Sequence, residues 1–213
     1  MEFKNKTVFI TGAASGIGLD CCRKFGQNGA RIAMCDVNGA ALKDCAARLE
    51  SEGISVLPLE ADVRDYNAVR SACRQTAEKF GGIDVAVGCA GGTARRILGC
   101  NAPSFWETPV SVYDWGIEVN LKGPLYMAHA AMPFMLKTGG VIIFIGSVTG
   151  IDGDGLGVDY AASKSAVMGG LVKSIAMAGA PYGIRACCVA PGPVLTRDAM
   201  KTVSYTHLRA HET

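Results

Sequence analysis

Thr7-Val-Phe-Ile-Thr11-Gly12-Ala-Ala-Ser15-Gly16-Ile17-Gly18 is the stretch on which the architecture turns. Five β-branched or apolar residues without polar alternation read as a strand buried on both faces. Glycines then punctuate a tight turn, and helical periodicity takes over at Gly16. Glycine lets the backbone turn sharply and approach a ligand closely. The first N–H groups of the helix lack intrahelical acceptors and carry partial positive charge, so the turn suits a phosphate.

Outward from this unit the pattern repeats. Strands read at Thr7–Thr11, Arg31–Asp36, Ser55–Glu60, Val85–Gly88, Val141–Gly146 and Ile184–Ala190. Helices read at Gly16–Asn28, Gly39–Glu50, Tyr66–Phe80, Tyr113–Lys137 and Asp159–Ala178, the fourth with a break expected near Gly123-Pro124. Alternating strands and helices with right-handed crossovers predict one α/β domain, a doubly wound parallel sheet of order 3-2-1-4-5-6. The irregular stretch Gly91–Val112 is long for such a connection. It reads equally as a wall of a site or as a surface excursion. Ile151–Gly157 is glycine-rich and reads as mobile.

Composition narrows the function classes. With 21 basic and 19 acidic residues the net charge is +2, which gives no electrostatic footprint for nucleic acid or an anionic membrane. The apolar run Val141–Ile145 is far shorter than the roughly 20 residues of a membrane span. A strand beginning at Thr7 leaves no room for a secretory leader. The nine cysteines, odd in number and without a C-x-x-C pair, read as reduced thiols of a cytoplasmic protein. No metal site is expected, since His207 and His211 fall in the tail discussed below.

Tyr160 and Lys164 stand four apart in Asp159-Tyr-Ala-Ala-Ser-Lys164 and share a helix face. Moving a hydride to or from a carbinol carbon also moves a proton on its oxygen. A phenol can carry that proton when a cation offsets the charge left on it. Ser147, thirteen positions upstream, ends the fifth strand, where its hydroxyl can polarise a substrate oxygen. Asp36 ends the second strand. An acid there can accept the ribose hydroxyls of NAD and repel the 2′-phosphate of NADP, and no Lys or Arg stands at 13, 14 or 37. Alternatively, Asp36 caps the next helix.

Taken in this order, the Gly-rich turn, Ser147, Tyr160 and Lys164 resemble the short-chain dehydrogenase/reductase family, from about Lys4 to about Thr202. The resemblance implies a Rossmann-like fold and an NAD-dependent oxidoreductase that interconverts a secondary alcohol and a ketone. It implies cofactor contacts from Gly12, Ser15, Gly16, Ile17 and Gly18, and from Asp62 and Val63 at the adenine. Ala90 and Gly91 would add backbone contacts, and Pro191, Gly192, Val194 and Thr196 would meet the nicotinamide. Lys164 would also hold the nicotinamide ribose, and Asn120 would complete the catalytic set through a water. Cys89 and Cys187 depart from the family, which often has Asn at both. The family also implies a homo-oligomer, a dimer or tetramer, and the apolar circumference of the Asp159–Ala178 helix agrees. The substrate is open among a sugar or polyol, a hydroxysteroid and a 3-oxoacyl thioester. A nucleotide-binding regulator without turnover, or a fragment, are the rival readings.

Val203–Thr213 resembles a translated sequencing adapter and is set aside from fold reasoning. The expected domain is therefore residues 1–202, with a last strand and a substrate lid expected beyond it.

Overall fold

The computed structural model describes residues 2–194; Thr196 and Val203–Thr213 lie outside the described residues. The chain runs β1 (Thr7–Thr11), α1 (Gly16–Gln27), β2 (Arg31–Asp36), α2 (Gly39–Ser51), β3 (Val56–Glu60), α3 (Tyr66–Phe80) and β4 (Val85–Gly88). It continues with α4 (Ala94–Ile97), α5 (Val110–Ile117), α6 (Gly123–Ala131), β5 (Gly140–Ile145), α7 (Thr149–Asp152), α8 (Val158–Ala166), α9 (Val172–Gly179) and β6 (Ile184–Val189). The six strands form one parallel sheet in the order β3-β2-β1-β4-β5-β6.

All five residues of β1 are buried, which explains the absence of polar alternation. Successive side chains point to opposite faces of the sheet. Val8 and Ile10 join a cluster with Cys22 of α1 and with Leu42, Cys45 and Leu49 of α2. Phe9 joins the opposite cluster with Val69, Cys73 and Phe80 of α3 and with Met127 and Ala128 of α6. One strand thus organises both helical layers. Because β1 lies between β2 and β4, the chain reverses direction across the sheet there, and a crevice opens beyond the carboxyl ends of these strands.

Two long helices differ from expectation. The stretch read as a helix over Tyr113–Lys137 with a break near Gly123-Pro124 starts at Val110, and the break is a π-helical turn, Glu118–Lys122, before α6, which ends at Ala131. The cause is Pro124: it has no N–H to return to the carbonyl of Asn120, four residues earlier, and its ring crowds that carbonyl. An inserted residue relieves the conflict, and the Gly123 N–H bonds Glu118 five residues back. A second π turn, Val167–Leu171, separates α8 from α9 and contains Gly169 and Gly170.

The two irregular stretches are more ordered than their composition implied. Gly91–Val112 contains α4, and the Arg95 guanidinium bonds the Thr108 hydroxyl and the Ala102 carbonyl, so the loop closes on itself. Thr108 is buried and donates to the Ser104 carbonyl at 2.9 Å. The segment after β5 begins with α7, and the Asp154 carboxylate accepts from the Leu156 and Gly157 N–H groups at 2.9 and 3.0 Å.

The β1–α1 unit sets a testable limit on packing. A Cβ on Gly18 would lie 2.1 Å from the Gly12 carbonyl oxygen, whereas one on Gly170 would meet nothing within 4 Å. Gly18→Ala should cost about 3 kcal/mol in urea unfolding, because backbone must move. Gly170→Ala, on an exposed helix face, should be neutral or gain up to about 1 kcal/mol. Equal effects would show that the Gly18 contact does not constrain the turn.

Candidate active site

The Gly-rich turn rests directly on the end of β4. Gly12 has φ 67°, in the left-handed region, and a Cβ on it would lie 2.7 Å from the Ala90 nitrogen. Ala90 donates its N–H to Thr11 Oγ1 at 3.3 Å, and Cys89 donates its N–H to the Thr11 carbonyl at 3.2 Å. Ser15 is the N-cap of α1 but makes no capping bond with its side chain, which lines the cleft above the turn. The helix N-terminus is therefore open to a ligand.

To one side lies a cavity of about 250 Å³ over β1, β2, β3 and β4, lined by Gly12, Ser15, Asp36, Asp62, Val63, Ala90 and Gly91 among others. Asp36 accepts the Ala14 N–H on one carboxylate oxygen and the Asn38 N–H on the other, both at 2.9 Å. Asn38, not Asp36, caps α2, accepting the Ala41 N–H at 3.1 Å. A carboxylate has about four lone-pair sites, so Asp36 keeps acceptor capacity toward the cavity. Asp62 is ion-paired with Arg64 at 2.6 Å, and that guanidinium holds its carboxyl below the usual carboxylate range. Arg64 lines the same cavity. Sequence reasoning, which looked for a base only at 13, 14 and 37, missed it. Its fork is engaged by Asp62, and its guanidinium carbon stands 5.8 Å from the Trp115 ring.

To the other side lies a cavity of about 340 Å³ that brings Ser147, Tyr160 and Lys164 together with Ser15, Ile17 and Gly18 of the turn. Gly91, Pro191, Gly192 and Val194 also line it. Cys89 and Gly91 belong to both cavities, which are halves of one cleft. Gly16 is in neither lining; with φ 55° it shapes the turn. Lys164 is buried and donates to the Ile145 carbonyl at 2.7 Å, with its ammonium 5.5 Å from the Tyr160 ring centre. Burial brings the Lys164 ammonium down to about 8. Ser147 Oγ accepts the Thr149 N–H at 3.2 Å, which leaves its own hydrogen to donate elsewhere.

Asn120 is fully buried and lines neither cavity. Its side-chain amide donates to the Gly92 and Gly116 carbonyls and accepts the Gly92 N–H, each at 2.9 Å. It ties the loop after β4 to α5. A Cβ on Gly91 would fall 2.8 Å from Asn120 Oδ1 and 3.5 Å from Lys164 Nζ, so Gly91 is the only spacer between the two side chains that this position tolerates.

Asp159 was not anticipated. It is buried beside Tyr160, and neither carboxylate oxygen has a hydrogen-bond partner among the described residues. Ser163, one turn on, is buried and likewise unpartnered. Asp159 fits only because Gly116 of α5 lacks a side chain: a Cβ there would lie 1.7 Å from the carboxylate. Burial pushes the Asp159 carboxyl up. Position gave no signal, since an acid in a first helical turn is ordinarily a solvated complement to the helix dipole.

The match to the short chain dehydrogenase family model spans residues 6–206. The chain belongs to the short-chain dehydrogenase family. Within it, the chain is 30% identical over 204 residues to a 7alpha-hydroxysteroid dehydrogenase of Bacteroides fragilis, covering 95% of this chain and 77% of the relative. It is 31% identical over 209 residues to a 2-dehydro-3-deoxy-L-rhamnonate dehydrogenase (NAD(+)) of a Sphingomonas species, covering 96% and 80%. The crystal structure of a dehydrogenase/reductase from Sinorhizobium meliloti superposes with a TM-score of 0.81 at 31% identity, over 93% of this chain and 78% of that one. This short-chain dehydrogenase is thus an oxidoreductase of a family that works with a nicotinamide dinucleotide. Among its described residues no helix is long and apolar enough to cross a membrane.

Asp159 makes the stability of this dehydrogenase depend on pH. A carboxyl raised on folding contributes stability below its ordinary value that is lost as pH rises through the folded value. Asp159→Asn removes the charge but keeps the shape. It should raise stability by about 1 kcal/mol at pH 8, with the gain shrinking toward pH 4. Thermal melts of both proteins across that range would show it; a pH-independent difference would show that the carboxyl does not titrate there.

Proposed function

We propose that this dehydrogenase uses NAD(H) to interconvert a secondary alcohol and a ketone, with Tyr160 as the acid–base group. The observation that carries the reading is the convergence of Ser147, Tyr160 and Lys164 on a cavity continuous with the Gly12–Gly18 turn. The turn fits a dinucleotide: the Gly12 and Gly18 contacts leave a side-chain-free path, and the N-terminus of α1 faces it. When bound, NAD accepts or supplies the hydride at the carbinol carbon.

The remaining chemistry falls to the chain. Ser147, its oxygen already accepting from Thr149, donates its O–H to the substrate oxygen and holds it beside Tyr160. Tyr160 takes the hydroxyl proton during oxidation and returns it during reduction. The Lys164 ammonium compensates charge on the phenol oxygen. An ammonium about 5 Å from a phenolate at an effective dielectric of ~20 is worth about 3 kcal/mol. The ammonium is held in place by the Ile145 carbonyl and has further N–H groups for a ribose hydroxyl. Asn120 contributes by position. Its side chain is occupied, so the water assigned to it by resemblance would bind its backbone carbonyl, which Pro124 cannot bond.

Gly12, Ser15, Ile17 and Gly18 would cradle the pyrophosphate, with Gly16 shaping the turn. Asp36 would accept the adenosine ribose hydroxyls, and Asp62 and Val63 would flank the adenine. Ala90 and Gly91 would support the ribose from below. Pro191, Gly192 and Val194 would border the nicotinamide, a role that extends to Thr196 by resemblance. A homo-oligomer is also proposed, because helix α9 leaves the large apolar side chain of Met177 78% exposed. The named relatives act on a steroid and on a sugar acid, and the cavity itself does not select between such substrates.

Two measurements test the reading. NADH should bind at least tenfold more tightly than NADPH in calorimetric titration, and Asp36→Asn, which keeps one acceptor oxygen, should narrow the gap. Equal affinities in the parent protein would overturn the NAD assignment. Tyr160→Phe should lower kcat at least 10³-fold on any secondary alcohol the parent oxidises while cofactor affinity stays within about threefold. A variant that keeps a tenth of the parental kcat would remove Tyr160 from the acid–base role.

A further inference from the structure

The short helix α4 and its N-cap set two donor-bearing side chains on the wall of the catalytic half of the cleft. Thr93 is the N-cap and Arg96 lies three residues on, so the two are neighbours on one face. Both line the cavity of about 340 Å³ that holds Ser147, Tyr160 and Lys164. The Thr93 hydroxyl makes no capping bond. Arg96 carries five N–H donors in a planar fork, so a bond to the chain leaves others for a ligand.

This wall is held from both sides. Asn120 clamps Gly92, accepting its N–H and donating to its carbonyl, each at 2.9 Å. Arg95 turns its guanidinium to the Thr108 hydroxyl and the Ala102 carbonyl. Of the two adjacent arginines, one is thus committed to the loop and the other is presented to the cavity. The charge around that cavity is one-sided. No Asp or Glu among the described residues lines it, whereas the neighbouring half of the cleft carries Asp36 and Asp62. Lys164, the other cation on the lining, is buried and bonded to the Ile145 carbonyl at 2.7 Å. A cleft walled by cations without acids favours an anion. A guanidinium fork beside a hydroxyl matches a carboxylate, with two parallel N–H bonds from the fork and a third bond from the O–H.

We propose that Arg96 and Thr93 form a carboxylate subsite, so that the alcohol or ketone on which this dehydrogenase acts is a hydroxy acid or an oxo acid. With Tyr160 as the acid–base group, a reading on which the subsite's meaning rests, the carbinol carbon sits at Ser147 and Tyr160 and the acid group reaches the α4 wall. The charge at the far end of the substrate is thereby assigned, and the carbon skeleton is left open. Arg96 touches no reacting atom. It holds substrate and transition state alike, so its effect falls on KM more than on kcat.

The test offers the 213-residue chain 3-hydroxybutyrate, 4-hydroxypentanoate and 5-hydroxyhexanoate, each paired with its carboxamide, which keeps the shape without the charge. Calorimetric titration, with NAD present and absent, should show at least one acid bound about tenfold or more tightly than its amide. Oxidation of the same pair should show the preference in KM. Arg96→Gln should cut the preference to about threefold or less, and Arg96→Lys, which keeps the charge without the fork, should restore part of it. Thr93→Val, the second variant in case Arg96→Gln fails to fold, should weaken the acid and leave the amide. The proposal is overturned if no acid binds, if acid and amide bind equally, or if Arg96→Gln keeps the parental preference. Binding is read without turnover, so the two readings fail separately. Acid preference without oxidation of any alcohol would refute the acid–base reading and keep the subsite; oxidation without acid preference would refute the subsite alone.

Discussion

Backbone against backbone at the carboxyl ends of β1 and β4 is the contact from which the rest of the structure is arranged. Gly18 lies on the Gly12 carbonyl, and Gly12 lies on the Cys89–Ala90 peptide. No side chain separates these three segments, so helix α1 starts at a fixed depth and angle over the sheet. That placement opens the cleft and keeps its two halves continuous. Any bulk at this junction would have to be absorbed by backbone, and close-packed interiors transmit such shifts rather than dissipate them.

The same logic recurs on the Tyr160 side. Gly91 is held between Asn120 and Lys164, and Gly116 gives way to Asp159. The helices around the site are located by the absence of side chains as much as by their presence. Two π turns, one before Pro124 and one containing Gly169 and Gly170, then adjust the rotation of the segments that carry Asn120 and follow Lys164. Arg95 steadies the wall facing them by closing the Gly91–Val112 loop on Thr108 and Ala102.

Much of this was legible before any coordinates. Fully apolar strands such as Val85–Gly88, alternating with helical periodicity, revealed the sheet and its order, because buried parallel strands leave a strong local signature. The spacing of Tyr160 and Lys164 placed them on one helix face by geometry alone. What escaped was non-local. The Arg64 partnership with Asp62 is written in neighbouring residues, but its place beside Asp36 depends on how β2 and β3 pair. The burial of Asp159 depends on a glycine more than forty positions earlier.

Asp36 ends up with two employers. Its carboxylate ties Ala14 in the dinucleotide turn and Asn38 at the start of α2, while facing the cavity. A lineage drifting toward a phosphorylated cofactor could not simply erase this acid, because the same replacement would orphan two backbone donors and loosen the turn itself. The accessible route runs through residues that keep a short acceptor while shedding charge, such as asparagine or serine. On the proposed role of Asp36 at the ribose, selectivity and foldedness are inherited together at this position, and evolutionary change in one is filtered by the other.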